Sequence, residues 1–275
     1  MTEFDPNFKV DDGALALFRQ YLGINDVDQI RRHILETTEN LKTSERTYRC
    51  LREYKFTAPR LAPRFYYQDI LEDRQKRVQN GETPTLMDIG CCLGTDIRQL
   101  ILDGYPETSI VGVDLYRQFI DIGYQLFQDK KTLNVRFLTG NIFDDHFLSP
   151  TDDIESAPLD QYKHQITYLN AGSVLHLFDG EQIRSFIRRA ALLMKTGGWF
   201  VGAHVGGNRT AQYQRLLQGD IKHFESADDL KTVLEDAGFT QIDMRATQRL
   251  DESRTDEGFV ALWLTFKAVY RPNNT

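Results

Sequence analysis

The chain has 275 residues, 41% of them hydrophobic, and a formal net charge of −7 at pH 7. That length can bury a sizeable core, either in one large domain or in a domain with an appendage. The negative charge argues against nucleic acid as a partner, because binding to its phosphate backbone needs clustered Lys and Arg.

The apolar runs and the cysteines indicate the cellular compartment of the protein and whether it contacts a membrane or a metal. No apolar run approaches membrane-spanning length, and the acidic first 12 residues are unlike a signal or transit peptide. There are three cysteines, of which Cys91 and Cys92 are adjacent, so no disulfide framework is implied. No other Cys or His lies at metal-site spacing from that pair. We therefore expect a cytoplasmic protein with no membrane contact and no metal.

Residues 1–80 have helical periodicity and no strand alternation. Pro59 and Pro63 forbid a regular helix over Lys55–Arg64. Helices are predicted at four other places: around Leu15, Phe18 and Leu22 with a stop at Gly23; over Asp26–Leu41, with Val27, Ile30, Ile34 and Leu41 near one face; over Ser44–Tyr54; and over Phe65–Val78. We expect residues 1–80 to form a helical appendage, followed by a cofactor-binding domain over residues 81–275.

The segment Thr85–Tyr116 has the pattern of strand, tight turn, helix and strand. Its two apolar runs, Leu86–Ile89 and Ile110–Val113, are continuous, as in a parallel sheet that is covered on both faces. The second run ends in Asp114, and a carboxylate at that position suits the two ribose hydroxyls of a nucleoside-bearing cofactor.

The turn between these strands distinguishes two cofactor classes. Nicotinamide and flavin cofactors require the spacing G-x-G-x-x-G, which Gly90–Gly94 lacks, and Asp96 in the following helix would repel a pyrophosphate. The acid–x–Gly pattern of Asp88 and Gly90 instead resembles motif I of the class I S-adenosylmethionine methyltransferases, D-x-G-x-G-x-G. Cys92 replaces the middle glycine of that motif. An ordinary turn that binds no cofactor is the alternative.

Two further strand ends carry candidate cofactor residues. The third strand, Val135–Leu138, is followed by Asn141 and Ile142, where the methyltransferase pattern has an acid for the adenine amino group and an apolar residue for the ring. Asn141 keeps a carbonyl acceptor there. The fourth strand, Ile166–Leu169, ends in Asn170 and Ala171. It lacks the Asn-Pro-Pro-aromatic motif of enzymes that methylate adenine or glutamine nitrogen.

The rest of the chain completes a sheet. Asp144–Gln165 is predicted to be a surface loop, and His204–Glu225 a polar segment at the carboxyl edge of the sheet. Helices are predicted over the apolar positions Phe119–Phe127 and Ile183–Met194, and from Ser226 to the stop at Gly238. The remaining strands are Trp199–Ala203, Phe239–Ala246 and Phe259–Tyr270, the last two forming an antiparallel hairpin.

Several blocks of the sequence resemble the methyltransferases of fungal secondary metabolism, in particular those of meroterpenoid pathways. The shared features are the turn Gly-Cys-Cys-Leu-Gly with Asp96 and Arg98, the pattern of Phe119–Asp129, and the block Ser-Val-Leu-His-Leu-Phe-Asp at 173–179. The resemblance implies a class I, Rossmann-like α/β fold with seven strands in the order 3-2-1-4-5-7-6, mostly parallel with an antiparallel last pair. It also implies methyl transfer from S-adenosylmethionine to a small molecule, often to the carboxylate of a pathway intermediate.

This resemblance assigns roles to particular residues. The cofactor, which would leave as S-adenosylhomocysteine, is expected at Asp88, Gly90, Cys92, Gly94, Asp114, Leu115, Asn141, Ile142, Asn170 and Ala171. In many small-molecule methyltransferases N-terminal helices form a lid over the acceptor. By analogy, the candidates for lining that site are Tyr48, Arg52, Tyr54 and Phe56, with Arg60 and Arg64 beside them.

The chemistry makes modest demands on the protein, because a sulfonium methyl group is already electrophilic and positioning supplies much of the acceleration. A carboxylate acceptor needs no base. A phenol would benefit from one, and His176 and His204, which follow strand ends, are the candidates, with packing roles as the alternative.

We therefore predict an O-methyltransferase that acts on a carboxylic acid of a fungal polyketide or terpenoid. The alternatives are a phenol, N- or C-methyltransferase and a catalytically silent cofactor-binding partner. The oligomeric state is left open, with a homodimer among the expectations.

Overall fold

The structure is a computed structural model that describes residues 4–5, 7–44, 48–153, 156–214, 221–249 and 258–272. The chain forms two compact units. The first comprises Met1–Lys76 and Cys91–Thr139, and the second comprises Arg77–Gly90 and Gly140–Thr275. The prediction of an appendage over 1–80 and a domain over 81–275 stays a prediction.

Four N-terminal helices precede a region in which strands and helices largely alternate, as in an α/β protein. In chain order they are α1 Asp12–Leu22, α2 Val27–Thr37, α3 Arg49–Arg52, α4 Tyr67–Gln79, β1 Thr85–Ile89, α5 Thr95–Leu102, β2 Ile110–Asp114, α6 Arg117–Phe127, β3 Arg136–Thr139, β4 Ile166–Gly172, α7 Gly180–Leu193, β5 Met194–Gly207, β6 Ala211–Gln214, β7 Ile221–Phe224, α8 Ala227–Asp236, β8 Phe239–Gln248 and β9 Ala261–Tyr270.

Seven of the strands form one sheet in the order β3-β2-β1-β4-β5-β9-β8. The β2–β3, β1–β4 and β4–β5 pairs are parallel, whereas β9 runs antiparallel to both β5 and β8. This confirms the predicted α/β class and the predicted strand order. Strands β1 and β2 are almost wholly buried, as their continuous apolar runs predicted.

In the first unit, a hydrophobic cluster joins α1 and α2 to α6. Phe18 of α1 stacks on Phe127 of α6, with ring centroids 5.6 Å apart. Ile30 and Ile34 of α2 are fully buried in the same cluster, but Val27 is 42% exposed, contrary to its predicted place on that face. Gly23 ends α1, as predicted, and has the left-handed conformation common at helix ends.

The second and third predicted helices are shorter than the sequence suggested, whereas α4 agrees with the fourth prediction, Phe65–Val78, to within two residues at each end. Helix α2 ends at Thr37 and a 3₁₀ turn, Glu39–Thr43, follows it. The hydroxyls of Thr37 and Thr38 donate to carbonyls of the last turn of α2, which competes with continuation of the helix. Within the predicted helix Ser44–Tyr54, the described α-helix is α3, and it ends before Tyr54, whose left-handed φ of 52° is not helical. Residues 45–47 lie outside the described part.

In the second unit, two loop predictions need correction. The segment Asp144–Gln165 is not purely a surface loop, because its side chains Leu148, Ser149, Asp160 and Lys163 are buried. The segment His204–Glu225 continues β5 to Gly207 and then forms the separate two-stranded sheet β6–β7. Periodicity missed that hairpin because its strands are only four residues each; residues 215–220 lie outside the described part.

Among the described residues, no helix combines the length and the apolar character that crossing a bilayer requires.

Candidate active site

The turn that follows β1 is held by backbone hydrogen bonds within the first unit. The Cys91 N–H donates to the carbonyl of Val113 at 3.0 Å, and the Gly94 N–H donates to the carbonyl of Cys91 at 2.8 Å. Cys92 has a φ of 53°, in the left-handed region that favours glycine. A glycine would take this backbone conformation without steric strain. For the cysteine, which has a Cβ, the conformation costs roughly 1 kcal/mol.

Asp114, at the carboxyl end of β2, is tied directly to this turn. One carboxylate oxygen accepts from the Cys92 N–H at 2.8 Å, and the other accepts from the Tyr116 N–H at 3.0 Å. The side chain is buried, and burial raises its pKa above the ordinary value of an aspartate. A carboxylate has about four acceptor positions, so acceptor capacity remains for further donors. The adjacent Leu115 is 49% exposed.

The buried side chain of Arg98 is hydrogen-bonded to the carbonyl groups of this turn. Its guanidinium is 1% exposed, forms a two-bond ion pair with Asp129 at 2.9 and 3.0 Å, and donates to the carbonyls of Leu93 and Gly94 at 3.1 and 3.2 Å. Gly94 has a φ of 74°, and a Cβ there would lie 2.2 Å from the guanidinium. The turn can therefore close on Arg98 only with glycine at this position.

Helix α6 packs against the same turn through Gly123. A Cβ at Gly123 would lie 2.3 Å from the carbonyl oxygen of Leu93, a distance that real structures do not show. The sequence predicts only that Gly123 lies within the helix Phe119–Phe127. Its importance lies in this close approach of the helix to the turn.

In the second unit, Asp88 of β1 and Asn170 of β4 form a buried polar pair. The Asn170 amide donates to the Asp88 carboxylate at 2.7 Å, and the two side chains are 2% and 4% exposed for Asn170 and Asp88 respectively. The amide oxygen of Asn170 has no hydrogen-bond partner among the residues described. Buried polar atoms are nearly always satisfied, so this oxygen is suited to a donor from a bound molecule.

The remaining predicted cofactor residues have mixed surroundings. Gly90 has a left-handed φ of 79°, and Ala171 is fully buried beside Asn170 in β4. Asn141 is exposed, and its side-chain oxygen accepts from the Phe143 N–H at 3.0 Å in a local turn. Ile142 is buried. The adenine role of Asn141 and Ile142 stays a prediction.

The predicted acceptor-lining residues fall into two groups. Tyr48 and Arg52 are half-buried. Tyr54 stacks on Phe8 with ring centroids 4.4 Å apart, and Phe56 is 7% exposed in the same hydrophobic cluster, so both side chains have a packing role. The acceptor-lining role of these four residues stays a prediction.

Residues 60 and 61 are held by a carboxylate of α5. The backbone N–H groups of Arg60 and Leu61 both donate to Asp96, at 2.6 and 2.8 Å. Asp96 thus has a structural function in the first unit, which sequence reasoning did not assign. Desolvation by burial lowers the pKa of Arg64, although a guanidinium remains charged at neutral pH.

The two predicted histidines differ in environment. His176 is half-buried in the 3₁₀ turn Leu175–Leu177. His204 is 1% exposed, and neither of its ring nitrogens has a hydrogen-bond partner in the described part of the chain. Desolvation, followed by the proximity of His223, lowers the pKa of His204 to about 4. Such an imidazole is neutral and a weak base at pH 7.

A histidine–carboxylate pair that the sequence did not suggest lies near His204. Nε2 of His223 is hydrogen-bonded to the carboxylate of Glu225, and both side chains are more than nine-tenths buried. Nδ1 of His223 has no partner within the described ranges. The sequence signal was the i, i+2 spacing of His223, in the short strand β7, and Glu225, which follows that strand. No group of three or more metal-ligating side chains occurs among the residues described.

No family model matches the chain. A solved S-adenosylmethionine-dependent methyltransferase of Methanosarcina mazei superposes with a TM-score of 0.50 and 17% identity, over 71% of this chain and 97% of that one. The chain therefore has the class I methyltransferase fold.

Proteins of similar sequence indicate which methyltransferases within this fold class the chain resembles. The O-methyltransferase phiE of a fungal species (strain ATCC 74256) is 35% identical over 151 residues, 54% of this chain and 46% of the relative. The O-methyltransferase atr3 of Stereocaulon alpinum is 32% identical over 199 residues, 72% of this chain and 53% of the relative. The chain resembles the S-adenosylmethionine-dependent methyltransferases of fungal secondary metabolism, and it spans about half the length of these curated relatives.

Proposed function

We propose that the chain is an S-adenosylmethionine-dependent O-methyltransferase that acts on a small molecule of fungal secondary metabolism, with a carboxylic acid as its acceptor. The observation that carries the cofactor assignment is the buried pair Asp88–Asn170, whose amide oxygen has no partner in the described part of the chain. An ammonium group, which the methionine part of the cofactor possesses, is the donor that such a pair of acceptors favours.

The residues of the turn and of β2 suit the adenosine part. Asp114 has acceptor positions left for the ribose hydroxyls, and the exposed Leu115 offers an apolar surface to the purine ring. We assign the adenine amino group to Asn141, with Ile142 beside it. Dinucleotides are disfavoured because the turn lacks their glycine spacing.

When bound, the cofactor would supply an electrophilic methyl group: an electron-rich acceptor atom would bond to the methyl carbon in line with the breaking carbon–sulfur bond, and the neutral thioether S-adenosylhomocysteine would leave. The task of the protein is to orient that atom and to exclude water. A carboxylate is ionised at neutral pH and needs no base. The acceptor assignment rests on the sequence resemblance and on the relatives' names as O-methyltransferases.

A second candidate, methylation of a hydroxyl group, is supported by the pair His223–Glu225. If Nε2 donates to Glu225, the neutral ring has its lone pair on Nδ1, the atom that has no partner within the described residues. This arrangement suits a general base, which a phenol with a pKa of about 10 would require.

Methyl-labelled cofactor and an organic extract of a fungal culture test the proposal without a defined acceptor. We expect label to enter an organic-soluble product, and mild alkaline hydrolysis to release it as methanol, since esters hydrolyse and methyl ethers do not. Label that survives alkali would contradict the carboxylate assignment. In that case, loss of activity in His223→Gln and its recovery at high pH would support the hydroxyl candidate. If S-adenosylhomocysteine binds but no extract accepts label, the catalytically silent alternative is favoured.

A further inference from the structure

A hydrogen-bond relay within the first unit, in which Arg98 and Asp129 are buried and Tyr21 is half-buried, connects α1 to the predicted cofactor-binding turn. The hydroxyl of Tyr21, in the last turn of α1, donates to Asp129 at 2.9 Å. Asp129 forms the two-bond ion pair with Arg98, and Arg98 donates to the carbonyls of Leu93 and Gly94. Two side-chain steps therefore separate the N-terminal helix from the turn.

The relay is built so that its members depend on one another. A buried ion pair is stable only when its remaining donors and acceptors are satisfied, because desolvation of the charges is costly. The same oxygen of Asp129 accepts from both Tyr21 and Arg98. Rings of Phe127 and Phe137 cover the guanidinium at 4.8 and 5.5 Å, so water does not readily replace a lost partner.

Two more contacts join the N-terminal segment to the first turn of α5. The hydroxyl of Thr95 donates to the carbonyl of Phe56 at 2.6 Å. The carboxylate of Asp96 accepts the backbone N–H groups of Arg60 and Leu61. The residues that follow the turn are thus attached to the segment in which the acceptor-lining candidates lie.

We propose that Tyr21 is a positioning residue for the cofactor, and that occupancy of the turn Cys91–Gly94 is coupled to the order of the N-terminal helices through Asp129 and Arg98. This inference rests on the proposed function, because it requires that the turn binds S-adenosylmethionine. Its consequence is that the cofactor, by fixing the turn, also orders the segment proposed to receive the acceptor, which favours binding of the cofactor first.

Tyr21→Phe removes one hydroxyl without leaving a large cavity and tests the relay directly. Tyr67→Phe is the matched control, because Tyr67 also donates its hydroxyl to a carboxylate, Asp103, at 2.6 Å, but Asp103 lies beyond the end of α5. Isothermal titration with S-adenosylhomocysteine should show a dissociation constant about three- to tenfold higher for Tyr21→Phe, and one within twofold of wild type for Tyr67→Phe.

Hydrogen exchange supplies a readout that a merely structural role would not change. Adding S-adenosylhomocysteine to the wild-type chain should slow amide exchange in residues 12–22, and Tyr21→Phe should reduce that protection. Equal dissociation constants for Tyr21→Phe and wild type, or no ligand-induced protection in α1 of the wild-type chain, would overturn the coupling. If the wild-type chain binds no S-adenosylhomocysteine at all, the proposed function itself has failed.

Discussion

At the scale of single residues, the candidate site depends on carboxylates whose local partners are backbone N–H groups. Asp114 accepts two such donors and Asp96 accepts two others. Each carboxylate therefore fixes the conformation of a short segment, apart from any contact with a ligand. The two functions can be separated by comparing fold stability with ligand affinity.

Replacement of Asp114 should reduce the affinity for the cofactor more than it reduces the stability of the fold. We expect Asp114→Asn, which keeps one acceptor oxygen, to raise the dissociation constant of S-adenosylhomocysteine at least tenfold, since hydrogen bonds to charged groups contribute roughly 1.5–3 kcal/mol each. Isothermal titration measures this dissociation constant. Asp121→Asn is the control, because Asp121 forms an exposed ion pair within α6. An affinity within twofold of wild type would show that Asp114 is not a ligand.

The buried His204 should make the folded state sensitive to acid. Its folded-state pKa of about 4 lies below the ordinary value of 6.5, so the unfolded chain binds more protons between those values. Stability is therefore fully present above pH 6.5 and falls as the pH drops toward 4, by up to about 3 kcal/mol from this residue. When the unfolding free energy is measured by urea titration at several pH values from 4 to 7, it should depend less steeply on pH for His204→Leu than for wild type. The same pH dependence of unfolding free energy in both proteins would contradict this account.

At the scale of elements, the contact of α6 with the turn is set by a single missing side chain. In Gly123→Ala the new methyl group would meet the Leu93 carbonyl at 2.3 Å, so the helix must shift. We expect a loss of about 1–3 kcal/mol in unfolding free energy together with weaker binding of S-adenosylhomocysteine. Gly13→Ala in α1, where the nearest atom lies at 3.3 Å on a side chain, should change neither by much.

The segment between β3 and β4 is secured by a buried lysine. Lys163 is fully buried, lies 3.2 Å from the carboxylate of Asp160 and donates to the hydroxyl of Ser149, which in turn donates to Asp160 at 2.9 Å. Its neighbours in the sequence predicted a solvated loop, and only the folded chain shows that the segment carries a closed polar network.

Breaking this network from one side should be costly. Lys163→Met leaves the charge of Asp160 buried without its partner, and we expect about 3–5 kcal/mol of lost unfolding free energy in a urea titration. Lys195→Met provides the comparison, because Lys195 forms an exposed ion pair with Glu82 whose contribution should be at most about 1 kcal/mol. Equal effects of the two substitutions would show that Lys163 is not a structural clamp.

At the scale of the whole molecule, a ligand that binds only the folded chain must raise its thermal midpoint. S-adenosylhomocysteine at 100 times its dissociation constant contributes about 2.7 kcal/mol, which corresponds to roughly 5–10 °C for a chain of this size. Differential scanning calorimetry with NAD at the same concentration should show no shift. Stabilisation by NAD alone would refute the cofactor assignment.

The order of the elements and the residue types at the strand ends could be predicted from the amino-acid sequence alone. Strands β1 and β2 were predictable because continuous apolar runs identify strands that are buried on both faces. Helix α6 was predictable because its apolar positions recur with helical spacing. Such periodicities are local, and the candidate cofactor residues were found because they follow these elements directly.

Which polar groups meet depends on tertiary packing and could not be predicted. Arg98 and Asp129 are 31 positions apart, Tyr21 and Asp129 are 108 apart, and Asp88 and Asn170 are 82 apart. A hydrogen bond between distant residues leaves no periodic trace in either segment, because its energy arises only when packing brings donor and acceptor together and excludes water. For the same reason the low pKa of His204 could not be predicted, since it comes from desolvation by elements far along the chain.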